Sequence, residues 1–445
     1  MHRDRVFVIV VALLMSAFAL VFWVMPRSTY SELEKRELRH FPQFSWSSLC
    51  DGSFTSDVSN WFSDSEPFRD VFMVCSMQLK SWMNLRTAPS DAQVTFHATS
   101  PEPEPMVEEV EMMSPQEASI AGNQRNIEAF HNEVDAKAKM ENSGVIVVGS
   151  APTVRALMAF KNQKKGEKGF AKVVNMYQKE FGPEVGVYCM VIPTAAEFYC
   201  PASARSCSPS EYPVLSELYA QIDSTVHVVD VYMVLGSHVA EDIYLRTDHH
   251  WSPLGAYYAA RQFALEAGVK VPEMEEYETH VIEGFVGSMY GYSKDIAVKK
   301  SPEDFVYYTP RDVSYSTTYR VYSLDEDYQI KGEGKPHQGD FFVSVSSPSS
   351  AYCTFMGSDA RITKVKTDAD SHRRLLVLKD SFGNAIPGYL FGSFEEVHVV
   401  DFRYFTYNIK DYVAENGITD ILMANNISQV CSGAIGAAYK RFLVN

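Results

Sequence analysis

The run Arg373-Arg374-Leu375-Leu376-Val377-Leu378-Lys379-Asp380-Ser381-Phe382-Gly383-Asn384 decides the fold class. Its short apolar core reads as a strand, and the polar residues after Lys379 read as a tight turn ahead of a helix. A serine on such a turn stands clear of the sheet, beside unpaired backbone N–H groups and the positive end of a helix dipole. A nucleophilic hydroxyl needs that placement.

The same alternation extends outward. Apolar runs at 145–148, 185–192, 226–231, 396–400 and 420–423 read as strands, and 126–140, 170–181, 214–222, 253–267 and 410–415 read as helices. The order predicts an α/β fold, a doubly wound, mostly parallel sheet of flavodoxin-like type. Residues from about 271 to 370 break the rhythm with strand-like runs at 305–308 and 341–345, read as a β-rich insertion over one end of the sheet.

Ligands of such sheets bind beyond the carboxyl ends of the strands. Gly149-Ser150, Pro193-Thr194, Ser381, Asp401-Phe402-Arg403-Tyr404 and Asn425-Asn426 all follow apolar runs closely. The missing partners of Ser381 stand in Thr247-Asp248-His249-His250-Trp251-Ser252. In an extended segment Asp248 and His250 point to one side, where the carboxylate fixes the imidazole tautomer. His249 then points away from His250, which argues against a shared metal ion and makes His249 a supporting residue. Trp251 reads as a core anchor under the site. No metal and no cofactor are expected.

The chain has 445 residues, 46% of them hydrophobic, which is enough for a large core. Its net charge of −16 excludes a nucleic-acid partner held by a basic stripe. Residues 6–24 are almost wholly apolar behind Arg3 and Arg5. They read as an uncleaved transmembrane anchor with the N-terminus inside, which puts the rest of the chain outside the cytoplasm. Of seven cysteines, Cys200 and Cys207 flank a short loop and are the expected disulfide.

Four segments follow: the anchor at 1–26, a juxtamembrane segment at 27–85 packing on the main body, an acidic Pro/Ser/Glu linker at 86–117, and the main domain at 118–445. Within the second, Ser31-Glu32-Leu33-Glu34 has the form of a capping box opening a helix through Leu38.

Asp248-His249-His250-Trp251 resembles the signature of the DHHW-motif family, which is similar to the periplasmic alginate O-acetyltransferases of the SGNH hydrolase-like group. Phe68-Arg69-Asp70, the run from Ile243 to Thr247, Lys379-Asp380-Ser381-Phe382 and Val400 to Tyr404 match in order. The resemblance implies an SGNH-like domain in which Ser381 is the nucleophile, His250 the base and Asp248 its orienting acid. Gly383 N–H or the Asn425 side chain would join Ser381 N–H in holding the oxyanion, and Arg403 and Tyr404 would meet substrate. Lys379 stands where the SGNH pattern has glycine.

The activity implied is acetyl transfer to an extracytoplasmic polysaccharide, the acetyl group arriving through a polytopic membrane O-acyltransferase. An esterase with the same triad, or a non-catalytic polysaccharide-binding or assembly subunit, is the alternative. A metal-dependent hydrolase ranks last.

Overall fold

In a computed structural model the described residues are 138–444 except 142–143, 163–164 and 326–328, and 39–69 except 51, with single positions beside the latter. The expected anchor at 6–24, apart from Ser16, and the acidic linker lie outside them. No described helix is long and apolar enough to cross a membrane.

The chain divides into two units. The first spans Met1–Ala92 with Lys294–Ile296. Its helices Trp46–Cys50 and Ser53–Asp64 are joined at Gly52, whose φ of 84° suits a residue without Cβ. Phe41 meets Trp61 edge-on at 4.8 Å and Phe44 meets Phe54 at 5.3 Å. Of the segment expected as a helix from Ser31, the described residues Tyr30–Ser31 and Arg36–Glu37 pair as antiparallel strands instead. So short a charged segment lies below the length at which helix propagation repays nucleation.

The second unit opens with strands β1 (Ala138–Met140), β2 (Val145–Val148) and β3 (Arg155–Met158), which form their own antiparallel sheet. This overturns two expectations. Residues 138–140 end in a strand and not a helix, and β2 does not belong to the main sheet, so Gly149-Ser150 is not at that sheet's edge. After helix α1 (Glu167–Phe181) come β4 (Gly186–Ile192), α2 (Ala195–Tyr199), α3 (Tyr212–Tyr219), the short β5 (His227–Val228) and α4 (Pro253–Ala267). Ser252 caps α4 by accepting from Gly255 N–H, and Gly268 in the left-handed region ends it.

The region read as an insertion supplies a hairpin of β6 (Tyr277–Phe285) and β7 (Glu303–Pro310), then β8 (Tyr315–Leu324), β9 (Ile330–Glu333), β10 (His337–Gly339) and β11 (Arg361–Thr367). The expected strand at 341–345 is reduced to a single bridge between Phe342 and Phe355. The chain closes with β12 (Arg374–Lys379), β13 (Glu396–Asp401), α5 (Ile409–Asn416), β14 (Asp420–Asn426), α6 (Ile427–Ser432) and α7 (Ala434–Val444).

The main sheet has nine strands in the order β9-β8-β11-β13-β12-β14-β4-β5, with β10 also on β8. From β13 to β5 all pairs are parallel; β11 to β13, β8 to β11, and β8 to β9 and β10 are antiparallel. The sheet is therefore mixed, not mostly parallel. The fold is α/β as expected, but β8 to β11 extend the sheet sideways, whereas an insertion over its end was expected. In the parallel part β13 and β14 are buried along their whole length and β4 and β12 nearly so. β8 is buried at Thr317, Tyr319 and Tyr322 and half-buried or exposed elsewhere. Cover on both faces requires the first pattern, and an antiparallel strand with one wet face permits the second.

Cys200 and Cys207 are both free thiols. Backbone hydrogen bonds close their loop, Ala204 N–H to Pro201 O and Cys207 N–H to Ala204 O, both at 2.9 Å.

Candidate active site

Register fixes what meets at the carboxyl edge. Lys379 is level with Asp401 on one side and Ala424 on the other, and Asn426 is level with Ile192. Asn426 and the residues just beyond these pairs, Ser381, Arg403 and Thr194, line one cleft of about 220 Å³ with His249 and Tyr292.

Ser381 begins a five-residue 3-10 turn, Ser381–Ala385, in place of the expected α-helix. The Asp380 carboxylate shapes that turn by accepting Phe382 N–H at 3.0 Å and, from across the sheet, Asn426 N–H at 2.7 Å. Burial pushes the Asp380 carboxyl up to about 6, against those two bonds. Gly383 is required here, because a Cβ on it would lie 2.5 Å from the Lys379 Cβ.

His250 Nε2 lies 2.8 Å from Ser381 Oγ, and His250 Nδ1 lies 2.6 Å from Asp248 Oδ1. All three side chains sought in the sequence come together. Their segment is not extended, however. Tyr244 and Trp251 bridge its ends, and His250 N–H bonds Asp248 Oδ1 at 3.1 Å, curling the chain between them. Glu303, on β7, accepts Arg246 N–H at 2.8 Å and both the N–H and hydroxyl of Thr247 at 2.6 Å. Ser288 N–H donates to Asp248 Oδ2 at 2.7 Å. Gly287 permits that approach, since a Cβ there would fall 2.5 Å from the same oxygen.

Burial alone would raise the Asp248 carboxyl, but the two imidazoles and these donors hold it well below the usual range. It stays an anion.

The curl brings the His249 and His250 rings to 3.9 Å, so they do not diverge as expected. The donor atoms of Asp248, His249 and His250 lie within 4.8 Å of one another, a spacing a metal ion can span. Both His250 nitrogens are already engaged, and His249 Nδ1 meets Ser288 Oγ at 2.7 Å. Burial and the neighbouring His250 push His249 down to about 4, leaving it neutral near pH 7. Trp251 is fully buried and donates Nε1–H to Phe382 O at 2.9 Å, tying the histidine loop to the serine turn.

The remaining residues divide. Gly383 N–H is spent on Asp380 O at 3.0 Å, so it does not face an oxyanion. Asn425 is fully buried with its Oδ1 on Tyr439 of α7, away from the cleft; Asn426 lines the cleft in its place. Arg403 lines the cleft but is held by Asp401 through Nε at 2.7 Å and by Asp359 through Nη2 at 2.8 Å. Tyr404 lies beside the Arg403 guanidinium, 5.3 Å from it, and is not part of the lining.

Lys379 is buried, with Nζ 2.7 Å from Asp359 Oδ1 and 2.9 Å from Asp401 Oδ2. Sequence reading missed Asp359, Glu303 and Tyr352. The Tyr352 ring stacks on His250 at 3.9 Å with 5° between planes. No periodicity or motif marks any of the three.

The fold and site define a mixed-sheet α/β protein with a serine, a histidine and an aspartate hydrogen-bonded in series at the end of its parallel strands. The chain belongs to the DHHW family, whose model, described as DHHW protein, matches residues 34–111 and 107–400. It is similar to a DHHW family protein from Eubacterium siraeum, at 34% identity over 70% of this chain and 99% of that one, with a TM-score of 0.61. Bacillus cereus PatB1 with a sulfonyl adduct is similar in fold, at 18% identity over 68% of this chain and 99% of that one, with a TM-score of 0.50. The O-acetyltransferase domain of Pseudomonas putida AlgJ matches at 11% identity over 69% of this chain and 99% of that one, with a TM-score of 0.37. No curated protein matches the chain.

Proposed function

We propose that the protein is a membrane-anchored, extracytoplasmic O-acetyltransferase that acetylates a polysaccharide through an acetyl-serine intermediate. The observation that carries this is the unbroken series from Asp248 to His250 to Ser381, with contacts of 2.6 and 2.8 Å, opening on a cleft. His250 Nε2 takes the Ser381 proton as Oγ bonds to the acetyl carbon, and the imidazolium returns that proton to the departing donor oxygen. A sugar hydroxyl then gives its proton to His250 and attacks the acetyl carbon, and Ser381 Oγ leaves, recovering a proton from His250.

Ser381 N–H and the second Nδ2 hydrogen of Asn426, whose first goes to Ile192 O at 3.2 Å, are the donors assigned to the oxyanion. The donor is an acyl group relayed by a polytopic membrane acyltransferase, and residues 6–24 hold the enzyme beside it.

The test uses the full chain in detergent with p-nitrophenyl acetate, recording acetate release and intact mass, beside Ser381→Ala. Wild type is expected to turn over or show a burst with one added acetyl, and the variant to lose roughly four orders of magnitude or more. Phenylmethylsulfonyl fluoride should modify Ser381 alone, since PatB1 has been captured as a sulfonyl adduct. Equal inertness of both proteins would leave a binding or assembly subunit. Acetate passing to water in the presence of oligosaccharide acceptors would make it an esterase.

A further inference from the structure

Acyl transfer needs the imidazole edge to stay on Ser381 Oγ while a proton crosses twice, and Asp248 holds only the opposite edge of the ring. The face of the ring belongs to Tyr352. Its phenol lies nearly parallel to His250, at 3.9 Å and 5°. Its hydroxyl donates to Ser381 O at 3.1 Å and to Phe382 O at 3.2 Å. One side chain thus touches both the base and the backbone that carries the nucleophile.

Tyr352 is itself firmly set. It is buried, with Phe305 and Phe355 edge-on at 6.3 and 5.7 Å. It sits in the 3-10 turn Pro348–Thr354, which Ser347 caps and which Thr354 Oγ1 pins to Val343 O at 2.9 Å. An aromatic face also favours a cation above it, and His250 carries positive charge once it has taken the Ser381 proton. Stacking of this kind stabilises the charged state more than the resting one.

Resting on the acyl-transfer reading above, we infer that Tyr352 is a positioning residue of the reaction: its ring sets the plane of His250 and backs the imidazolium. A buried tyrosine that merely fills space would be replaced by any side chain of similar bulk. One that acts through its ring is replaced only by another ring.

The test compares full-length wild type, Tyr352→Phe and Tyr352→Leu in detergent. It reads kcat and KM for p-nitrophenyl acetate, the rate at which phenylmethylsulfonyl fluoride modifies Ser381, and the thermal midpoint. Tyr352→Leu is expected to lower kcat and the modification rate about ten- to a hundredfold, the scale of a misplaced catalytic contact, with KM within about twofold. Tyr352→Phe should recover to within about threefold of wild type. Should the leucine variant fail to fold, Tyr352→Met, long and without a π face, takes its place with the same expectation.

The inference is overturned if the aliphatic variant reacts as fast as wild type, if Phe loses as much as Leu, or if the loss lies in KM. Wild type that neither turns over nor is modified at Ser381 would sink the acyl-transfer reading itself, which is a different failure.

Discussion

Two charge clusters flank the cleft, one buried at Lys379 and Asp401 and open to solvent at Arg403, the other buried at both its carboxylates, and they are composed by opposite rules. Beneath the Ser381 turn, Lys379 and Arg403 interlock with Asp359 and Asp401, two cations with two anions. Behind Thr194, Glu197 and Glu211 lie buried together with Arg205 as the cation beside them, and the rest of their bonds come from neutral donors. Glu211 accepts Thr194 N–H at 2.9 Å as well as the Thr194 hydroxyl, and Glu197 accepts the Tyr232 hydroxyl at 2.5 Å and Ser210 at 2.8 Å. Burial disfavours charge in both places, and pairing decides the outcome. In the first cluster burial would raise Asp359, but Lys379 and Arg403 hold it well below the usual carboxylate range. In the second, burial and then the Glu197 charge lift Glu211 well above it.

Acid therefore acts on the two clusters in opposite directions. A carboxyl depressed in the folded state contributes stability that is present above its unfolded value near pH 4 and is lost as pH falls below it. A raised one contributes stability that is fully present below about pH 4.5 and is lost as pH climbs toward the folded value. The balanced cluster is a neutral-pH asset, and the unbalanced one an acid-pH asset.

The largest expected effect comes from unbalancing the first cluster. Lys379→Met leaves Asp359 and Asp401 with Arg403 alone and should cost about 3–5 kcal/mol in urea unfolding at pH 7. A loss under about 1 kcal/mol would mean that the cluster is not a buried ion network. Next in size, Glu211→Gln keeps an acceptor for Thr194 N–H and supplies a donor to the Thr194 hydroxyl while removing the like charge. It should stabilise the protein by roughly 1–3 kcal/mol at pH 8, with the advantage shrinking toward pH 4.5. A difference that does not change with pH would contradict the raised carboxyl. Last, Trp251→Phe removes the Nε1–H bond to Phe382 O, about 1 kcal/mol beyond the packing lost with the smaller ring. It touches neither cluster, so a pH dependence matching that of either variant would contradict the assignment of that dependence to the cluster.

Much of this was legible in the sequence. The unbroken apolar runs at β4, β12 and β14 marked strands that really are covered on both faces, and the small-residue helix α4 spans 253–267 as its pattern indicated. Asp248, His250 and Ser381 stood out because no core has use for that chemistry, although 131 positions separate the last two. The mixed character of the sheet was missed because β8 is buried at only three positions and β11 carries Lys364 and Lys366 among its buried residues, a composition that serves an antiparallel extension as readily as a covering insertion. His249 was misplaced by assuming an extended segment where a side-chain bond curls it. Glu303, Asp359 and Tyr352 act only through tertiary contact, and no local period announces that.

The topology also sets a timetable. β14 follows every other strand of the main sheet in the chain, yet it lies between β12 and β4. As the polypeptide is made from its amino end, the wall bearing Ser381 and the wall bearing Thr194 have no sheet strand to join them until residues 420–426 emerge. The cleft is a late product of synthesis, and a nascent chain halted before that point carries every acid, base and nucleophile of the site without the crevice in which they act together.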